Sequence, residues 1–398
     1  MKYLFEKIPY WGEEPEEQTQ MQMAACERTA DRCAFMADHH LGYAVPIGGV
    51  VAYRDHVSPS GVGYDIACGN KAVRLNADAD EVRKNISTIM DDVFETISFG
   101  LGRKNREDVD HALFDDDAWK LESVARLKES ARKQLGTVGS GNHYVDIFTD
   151  EEDRVWIGVH FGSRGLGHKT ATWFLRKAGA KDAIHAQPAL LATDSDLGAQ
   201  YLEAMHLAGR YAYAGRDWVC DRVAKILGAK IVEQVHNHHN FAWREEHDGE
   251  MLWVVRKGAT PAWPGQLGFV GGSMSEEAVI IRGKEATEDE AAEEQRKALY
   301  STVHGAGRVL GRSAARGKVD RRTGEVKRAP KVTAEMMRAS VDGAGVELRG
   351  AGVDESPHCY KRLPEVLEHH AKTIDVVHRL KPIGVAMAGA DVFDPFKD

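Results

Sequence analysis

The constraint that matters most in this chain is the placement of its histidines. There are 18 in 398 residues, and several stand together in glycine-, serine- and asparagine-rich segments instead of along amphipathic faces. That pattern asks for a metal or a phosphate. The segments run from residue 65 to residue 304, so a fold that uses them at one centre must bring distant parts of the chain together. Length alone suggests two or three domains of roughly 150 residues each. The histidine segments argue instead for one intertwined unit over residues 1–398.

With 43% hydrophobic and 28% charged residues, the chain can bury a large core, which excludes collagen-like and disordered classes. The formal charge is -9, from 52 Lys+Arg against 61 Asp+Glu, so any nucleic-acid contact must use a local basic patch. No window approaches the roughly 18 apolar residues of a membrane helix, so no membrane partner is expected. The start, Met1-Lys2-Tyr3-Leu4-Phe5-Glu6, has no secretory apolar run, and a cytoplasmic location is expected. Five cysteines (Cys26, Cys33, Cys68, Cys220, Cys359) without a CxxC pair indicate neither a disulfide framework nor a zinc finger.

Hydrophobic spacing predicts helices over 19–37, 79–99 and 117–135, and one or two long helices within 188–227. Short β-branched or aromatic runs predict strands over 43–51, 71–75, 155–160, 251–255 and 278–281. The expected class is α+β, with mixed β-sheets flanked by helices. Six acidic residues between 285 and 294 read as a solvated helix in an acidic surface insertion over 283–298. Between 308 and 331 nine basic residues (Arg308, Arg312, Arg316, Lys318, Arg321, Arg322, Lys327, Arg328, Lys331) face Asp320 and Glu325. The basic segment 312–332 reads as an exposed loop or a polyanion contact, its start lying near His304.

Four kinds of segment can carry chemistry. Gly61-Val62-Gly63-Tyr64-Asp65-Ile66-Ala67-Cys68-Gly69 sets a carboxylate and a thiol three residues apart, able to face one ion or to be a turn beside a structural cysteine. Gly136-Thr137-Val138-Gly139-Ser140-Gly141-Asn142-His143 and Val159-His160-Phe161-Gly162-Ser163-Arg164-Gly165 are small-residue loops whose amides can cradle phosphate, Arg164 adding a guanidinium. In His236-Asn237-His238-His239-Asn240 at most one or two imidazoles can reach one centre, the others serving as bystanders or orienters. Ser301-Thr302-Val303-His304-Gly305-Ala306-Gly307-Arg308 lets a phosphate approach an imidazole that could be nucleophile, ligand or acid. P-loop, nucleophile-elbow and HExxH patterns are absent, which removes support for three common enzyme classes.

Taken in order, these segments resemble the tRNA-splicing RNA ligase family called RtcB. The resemblance also rests on Met36-Ala37-Asp38-His39-His40-Leu41-Gly42, Ile47-Gly48-Gly49-Val50, Arg256-Lys257-Gly258-Ala259 and Gly272-Ser273-Met274, and it extends from about residue 30 to 389. It implies one α+β domain of the family's own fold, holding two Mn²⁺ ions and using GTP. Position by position it implies that Asp65, Cys68, His143, His160 and His239 bind metal and that His304 takes the guanylyl group. It further implies nucleotide contacts from Asn142, Asn240, Ser273, Met274, His304, Gly305, Ala306, Gly307 and Tyr360, and phosphate or RNA contacts from Arg164 and Arg308. The implied reaction joins RNA 3'-phosphate or 2',3'-cyclic phosphate ends to 5'-hydroxyl ends through guanylyl-His304, with an archease-like activator as a further partner.

The chain departs from the family pattern at Ala388 and Ala278, where the family has a lysine and a serine near the base, and at Ser275, Asp146 and Ala37. Metal and transfer residues are kept while the base contacts change. That leaves three alternatives beside a GTP-dependent ligase: altered nucleotide specificity, a metal-dependent phosphodiesterase or cyclic phosphatase without ligation, and a non-catalytic RNA-end binder.

Overall fold

Two strands rich in β-branched and aromatic residues, Arg154–His160 and Tyr144–Thr149, pair antiparallel at the heart of the larger sheet, and Gly69–Asp78 pairs antiparallel with the first of them. The computed structural model describes residues 1–180, 186–319, 322, 323, 325–390 and 392. Among these, the sheet runs Ile231–His238, Gly69–Asp78, Arg154–His160, Tyr144–Thr149, Ile374–Gly389, Ala278–Gly283, Leu267–Val270, with Glu347–Ala351 added in parallel to Ile374–Gly389. A six-stranded sheet runs Lys2–Leu4, Ile8–Tyr10, Arg32–His40, Ile47–Tyr53, Glu250–Lys257, Asn240–His247. The two sheets meet in sequence at His239, where the chain leaves one strand and enters the next. The class is mixed α+β, as expected.

The helix Asp196–Ile226 organises much of the packing. Ser195 caps it by accepting the Gly198 N–H at 3.1 Å, which satisfies an amide that a helix start otherwise leaves open. Its first half (Tyr201, Met205, Leu207, Tyr211) packs in one hydrophobic core and its second half (Val219, Cys220, Val223) in another, beside Val73, Val145, Ile157 and Val159 of the larger sheet. The helix thus lies under the sheet end that carries the histidine segments.

Several expectations are corrected. The helix expected over 19–37 stops at Glu27, and Arg32–His40 is a strand, because residues 34–39 are all buried between neighbours in a sheet. The helix expected over 117–135 is broken into the 3-10 turn Asp117–Lys120 and the helices Glu122–Ala125 and Lys128–Gln134, with Asp116 capping Ala118 and Leu121 extended between them. The segment 188–227 holds the single long helix Asp196–Ile226, with Ser195 at its N-cap, as expected.

The acidic run forms the helix Asp289–Lys297, of which Glu294 and Gln295 are buried; Glu294 accepts the Trp11 indole N–H at 3.1 Å. The basic run forms the helix Arg312–Arg316 and the paired strands Lys318–Val319 and Val326–Arg328, while Asp320 and Arg321 lie outside the described residues. Among the described residues no helix is long and apolar enough to cross a membrane, and all five cysteines are free.

Candidate active site

Antiparallel register gathers the histidine segments at one end of the larger sheet. His160 ends its strand opposite both Asn70 and Tyr144, and His238 pairs with Gly69. Cys68, His143, His160 and His239 therefore emerge side by side from four neighbouring strands, although up to 171 positions separate them. Cys68 Sγ lies 3.3 Å from His160 Nε2 and 3.7 Å from His143 Nε2, and His143 Nε2 lies 3.0 Å from Asp65 Oδ2. Donors sharing one ion at bond lengths of about 2.0–2.3 Å stand at such separations. The ring of His239 is 5.0 Å from that of His160, and its buried Nδ1 has no hydrogen-bond partner.

The surroundings set the ionisation of these groups. Burial drives the imidazoles of His160 and His239 well below their usual basicity, so both are neutral with a lone pair available. Burial pulls the Asp65 carboxyl up, but the His143 hydrogen bond and the charges of His143 and Arg164 hold it at about 2. Burial, with the Asp65 charge, pushes the Cys68 thiol well above its ordinary value. The His143 Nδ1 proton goes to the Val138 carbonyl at 2.9 Å, which fixes the ring with Nε2 toward Asp65 and Cys68. Close approach explains one glycine: a Cβ on Gly162 would stand 2.2 Å from Asp65 Oδ1.

His304 follows the short strand Ser301–Val303 and faces the same centre, its ring 4.8 Å from that of His239. Its Nδ1 is 2.6 Å from Asp38 Oδ2, which also accepts the backbone N–H groups of His304 at 3.0 Å and Gly305 at 3.4 Å. Burial would raise the Asp38 carboxyl, but the His304 interactions hold it below the ordinary range. A carboxylate there obliges Nδ1 to donate and leaves the lone pair on Nε2. Asp38 sits where the pairing of its strand shifts register between Phe35 and His40, an irregularity that turns a side chain out of the usual alternation. Gly258, at φ +62°, makes room for the His304 loop, since a Cβ would meet His304 Cε1 at 3.0 Å and Ile47 Cγ2 at 2.5 Å.

These groups line a cleft of about 1120 Å³, together with Asn142, Asn240, Ser273, Met274, Gly305, Ala306, Gly307, Arg308 and Tyr360. Asn240 has both amide ends engaged, accepting the Gly258 N–H at 2.7 Å and donating to Asp65 O at 3.3 Å. Arg308 donates to Tyr360 Oη at 2.7 Å and Glu355 Oε2 at 3.0 Å, and Arg312 to Glu355 Oε1 at 2.9 Å. Against burial, Arg312 and Arg308 keep the Glu355 carboxyl at about 2. Two ammonium groups also reach the wall, one buried and one half-buried: Lys257 donates to Tyr43 O and Ser60 O, and Lys361 to Ala37 O and His39 O.

Some expected residues are placed elsewhere. Arg164 is not among the cleft-lining residues; its guanidinium lies against Gly139, 3.4 Å from His143 Nδ1. Ala278 packs with Phe148, Trp156 and Phe269, and Ala388 with the strand core on the far face, so neither faces the cleft. The wall there is made by Tyr144, Asp146, Met274, Val385 and Met387. Sequence reasoning gave no role to Asp38, although it stands in the quoted Asp-His-His run, nor to Glu355 or Arg216.

A thiol, imidazoles and a carboxylate converging beside an oriented histidine define a candidate metalloenzyme centre. A family profile described as tRNA-splicing ligase RtcB matches residues 20–126 and 113–388. The chain is 32% identical to the tRNA-splicing ligase RtcB of Thermococcus kodakarensis, covering 88% of this chain and 86% of that protein. It is 29% identical to the RNA-splicing ligase RtcB of Escherichia coli, covering 88% of each, and 29% identical to the tRNA-splicing ligase RtcB of Archaeoglobus fulgidus, covering 88% and 86%. The chain belongs to the RtcB family.

Proposed function

We propose that this protein is an RNA ligase that uses GTP and Mn²⁺ to join RNA 3'-phosphate or 2',3'-cyclic phosphate ends to 5'-hydroxyl ends through a guanylyl group on His304. The observation that carries this reading is His304 itself: one ring nitrogen is bound to buried Asp38, and the other is free for attack in a cleft shared with Cys68, His143 and His160. A metal-binding protein without transfer chemistry has no need of an oriented nucleophile at this place. The names of the relatives support RNA as substrate.

Asp65, Cys68, His143, His160 and His239 would hold the metal, whose bound form supplies Lewis acidity to phosphoryl oxygens and keeps Cys68 as a thiolate. His304 Nε2 attacks the α-phosphorus of GTP, the P–O bond to the β-phosphate breaks and pyrophosphate leaves, and Asp38 offsets the positive charge that the ring gains. The resulting P–N bond passes GMP to an RNA 3'-phosphate oxygen. Attack by a 5'-hydroxyl oxygen then joins the strands and releases GMP. Arg308, Lys257 and Lys361 are cationic side chains in the cleft lining that phosphate groups could meet. An archease-like activator and a cytoplasmic setting accompany the reading.

A second reading, altered base preference, is favoured by the apolar wall of Met274, Val385 and Met387, in which Asp146, Ser273 and Tyr144 supply polar atoms without hydrogen-bond partners. Both readings meet one test. The protein is incubated with Mn²⁺ and α-labelled GTP or ATP, run on a denaturing gel, and then given RNA with 3'-phosphate and 5'-hydroxyl ends. We expect an acid-labile, alkali-stable label from GTP and a ligated product. Label from ATP alone establishes the altered base preference. No label from either, with metal-dependent opening of a cyclic phosphate, replaces the ligase by a phosphodiesterase.

A further inference from the structure

Behind the donors, on the side away from the cleft, lies a fully buried guanidinium. Arg216 comes from the helix Asp196–Ile226 and has no exposed surface. Its Nη1 donates to Ala67 O at 3.1 Å and Phe161 O at 2.5 Å. Its Nη2 contacts His238 Nδ1 at 2.9 Å, and its Nε donates to His236 Nε2 at 2.8 Å. Ala67 precedes Cys68, Phe161 follows His160, and His238 precedes His239. One planar head therefore holds the backbone or side chain next to three of the five donor positions.

The arrangement is demanding in two ways. Only a guanidinium has donors spread over a fork wide enough to span two carbonyls and two imidazoles at once; an ammonium is a single point. A buried charge is also costly unless it is compensated, and all four of these partners are neutral groups: two carbonyls and two imidazoles. Tyr213 adds a π face 5.3 Å from the guanidinium carbon and stacks on the His238 ring at 4.0 Å, so the clamp is itself held from behind. Packing alone would be served better by an apolar side chain of the same size.

We infer that Arg216 is the positioning residue of the metal centre: it locks the Cys68, His160 and His239 segments in one donor geometry, so metal affinity depends on it although it binds no metal. The inference rests on the ligand reading proposed above. Partners that orient ligands characteristically change affinity by about 10- to 100-fold when removed.

The test uses the full chain stripped of metal, with Arg216→Met and Arg216→Lys. Mn²⁺ binding is followed by calorimetry, Co²⁺ binding by the thiolate-to-cobalt absorption band, and thermal unfolding is recorded without metal. We expect folded variants whose Mn²⁺ Kd is weakened 10- to 100-fold, with the thiolate band diminished, Arg216→Lys falling between Arg216→Met and the parent. Parental Kd and band in Arg216→Met overturn the inference, whatever its melting temperature, because a role in packing moves stability and not affinity. Where Arg216→Met does not fold, parental affinity in Arg216→Lys overturns it equally. A parent chain that binds neither ion overturns the ligand reading instead.

Discussion

His304→Ala should abolish the nucleotide label while leaving Mn²⁺ binding intact, and the two Asp38 variants should separate what the carboxylate does. In Asp38→Asn the amide oxygen can keep the place of Oδ2, where it still accepts the backbone N–H groups of His304 and Gly305 and the Nδ1 proton. The ring then keeps its tautomer and loses only the negative charge opposite it. Removing one preorganised electrostatic partner of a transition state costs about 10²- to 10³-fold, and that slowing is expected for Asp38→Asn. Asp38→Ala frees the ring and its tautomer as well, so its slowing is expected to exceed that of Asp38→Asn. Label formation in a single turnover measures both. Parental rates in Asp38→Asn would mean that the carboxylate only shapes the loop, and label surviving in His304→Ala would move the acceptor to another residue.

The cluster of Cys68, His143 and His160 was legible because the chemistry of these residues and their local structure use the same signal. A glycine-rich turn beside an apolar run marks the end of a strand, and Cys68, His143 and His160 each stand at such an end. What pairs with what was not legible: the register that sets His160 against both Asn70 and Tyr144 is decided by packing between segments far apart in sequence. Asp38 was hidden by a wrong period. Spaced methionines and cysteines from 21 to 36 suited a helix, so the polar residue after them lost its meaning as a buried carboxylate in a distorted strand.

Arg216 was hidden for the opposite reason. The helix around it was expected correctly, and an arginine on a long helix is ordinarily a solvated one; only the sheet laid over it makes it buried. Arg164 shows the converse, a phosphate-like loop whose guanidinium turns to the back of His143 because the chain begins a helix at that residue, with φ +59°.

Asp146→Asn should stabilise the metal-free protein at neutral and alkaline pH. Asp146 is buried in the strand Tyr144–Thr149, and its Oδ1 has no hydrogen-bond partner. Burial pushes its carboxyl well above the ordinary value of 3.8, so the native state keeps a proton that the unfolded chain gives up. The sign follows from linkage. Below 3.8 both states are protonated and nothing is lost; as pH rises toward the native value, stability falls by about 1.4 kcal/mol per unit. An asparagine has the same shape, still offers a donor and an acceptor to the cleft, and does not titrate. Thermal unfolding of both proteins between pH 4 and 8 is the measurement, with the Asp146→Asn melting temperature expected above that of the parent at pH 8 and the gap closing toward pH 4. A gap that stays constant with pH would show that Asp146 reaches water or an unassigned cation. With the neutral group in place, this wall of the cleft presents hydrogen-bond donors and acceptors without fixed charge, so on the proposed reading label formation should survive in Asp146→Asn and lose its preference between GTP and ATP in Asp146→Ala.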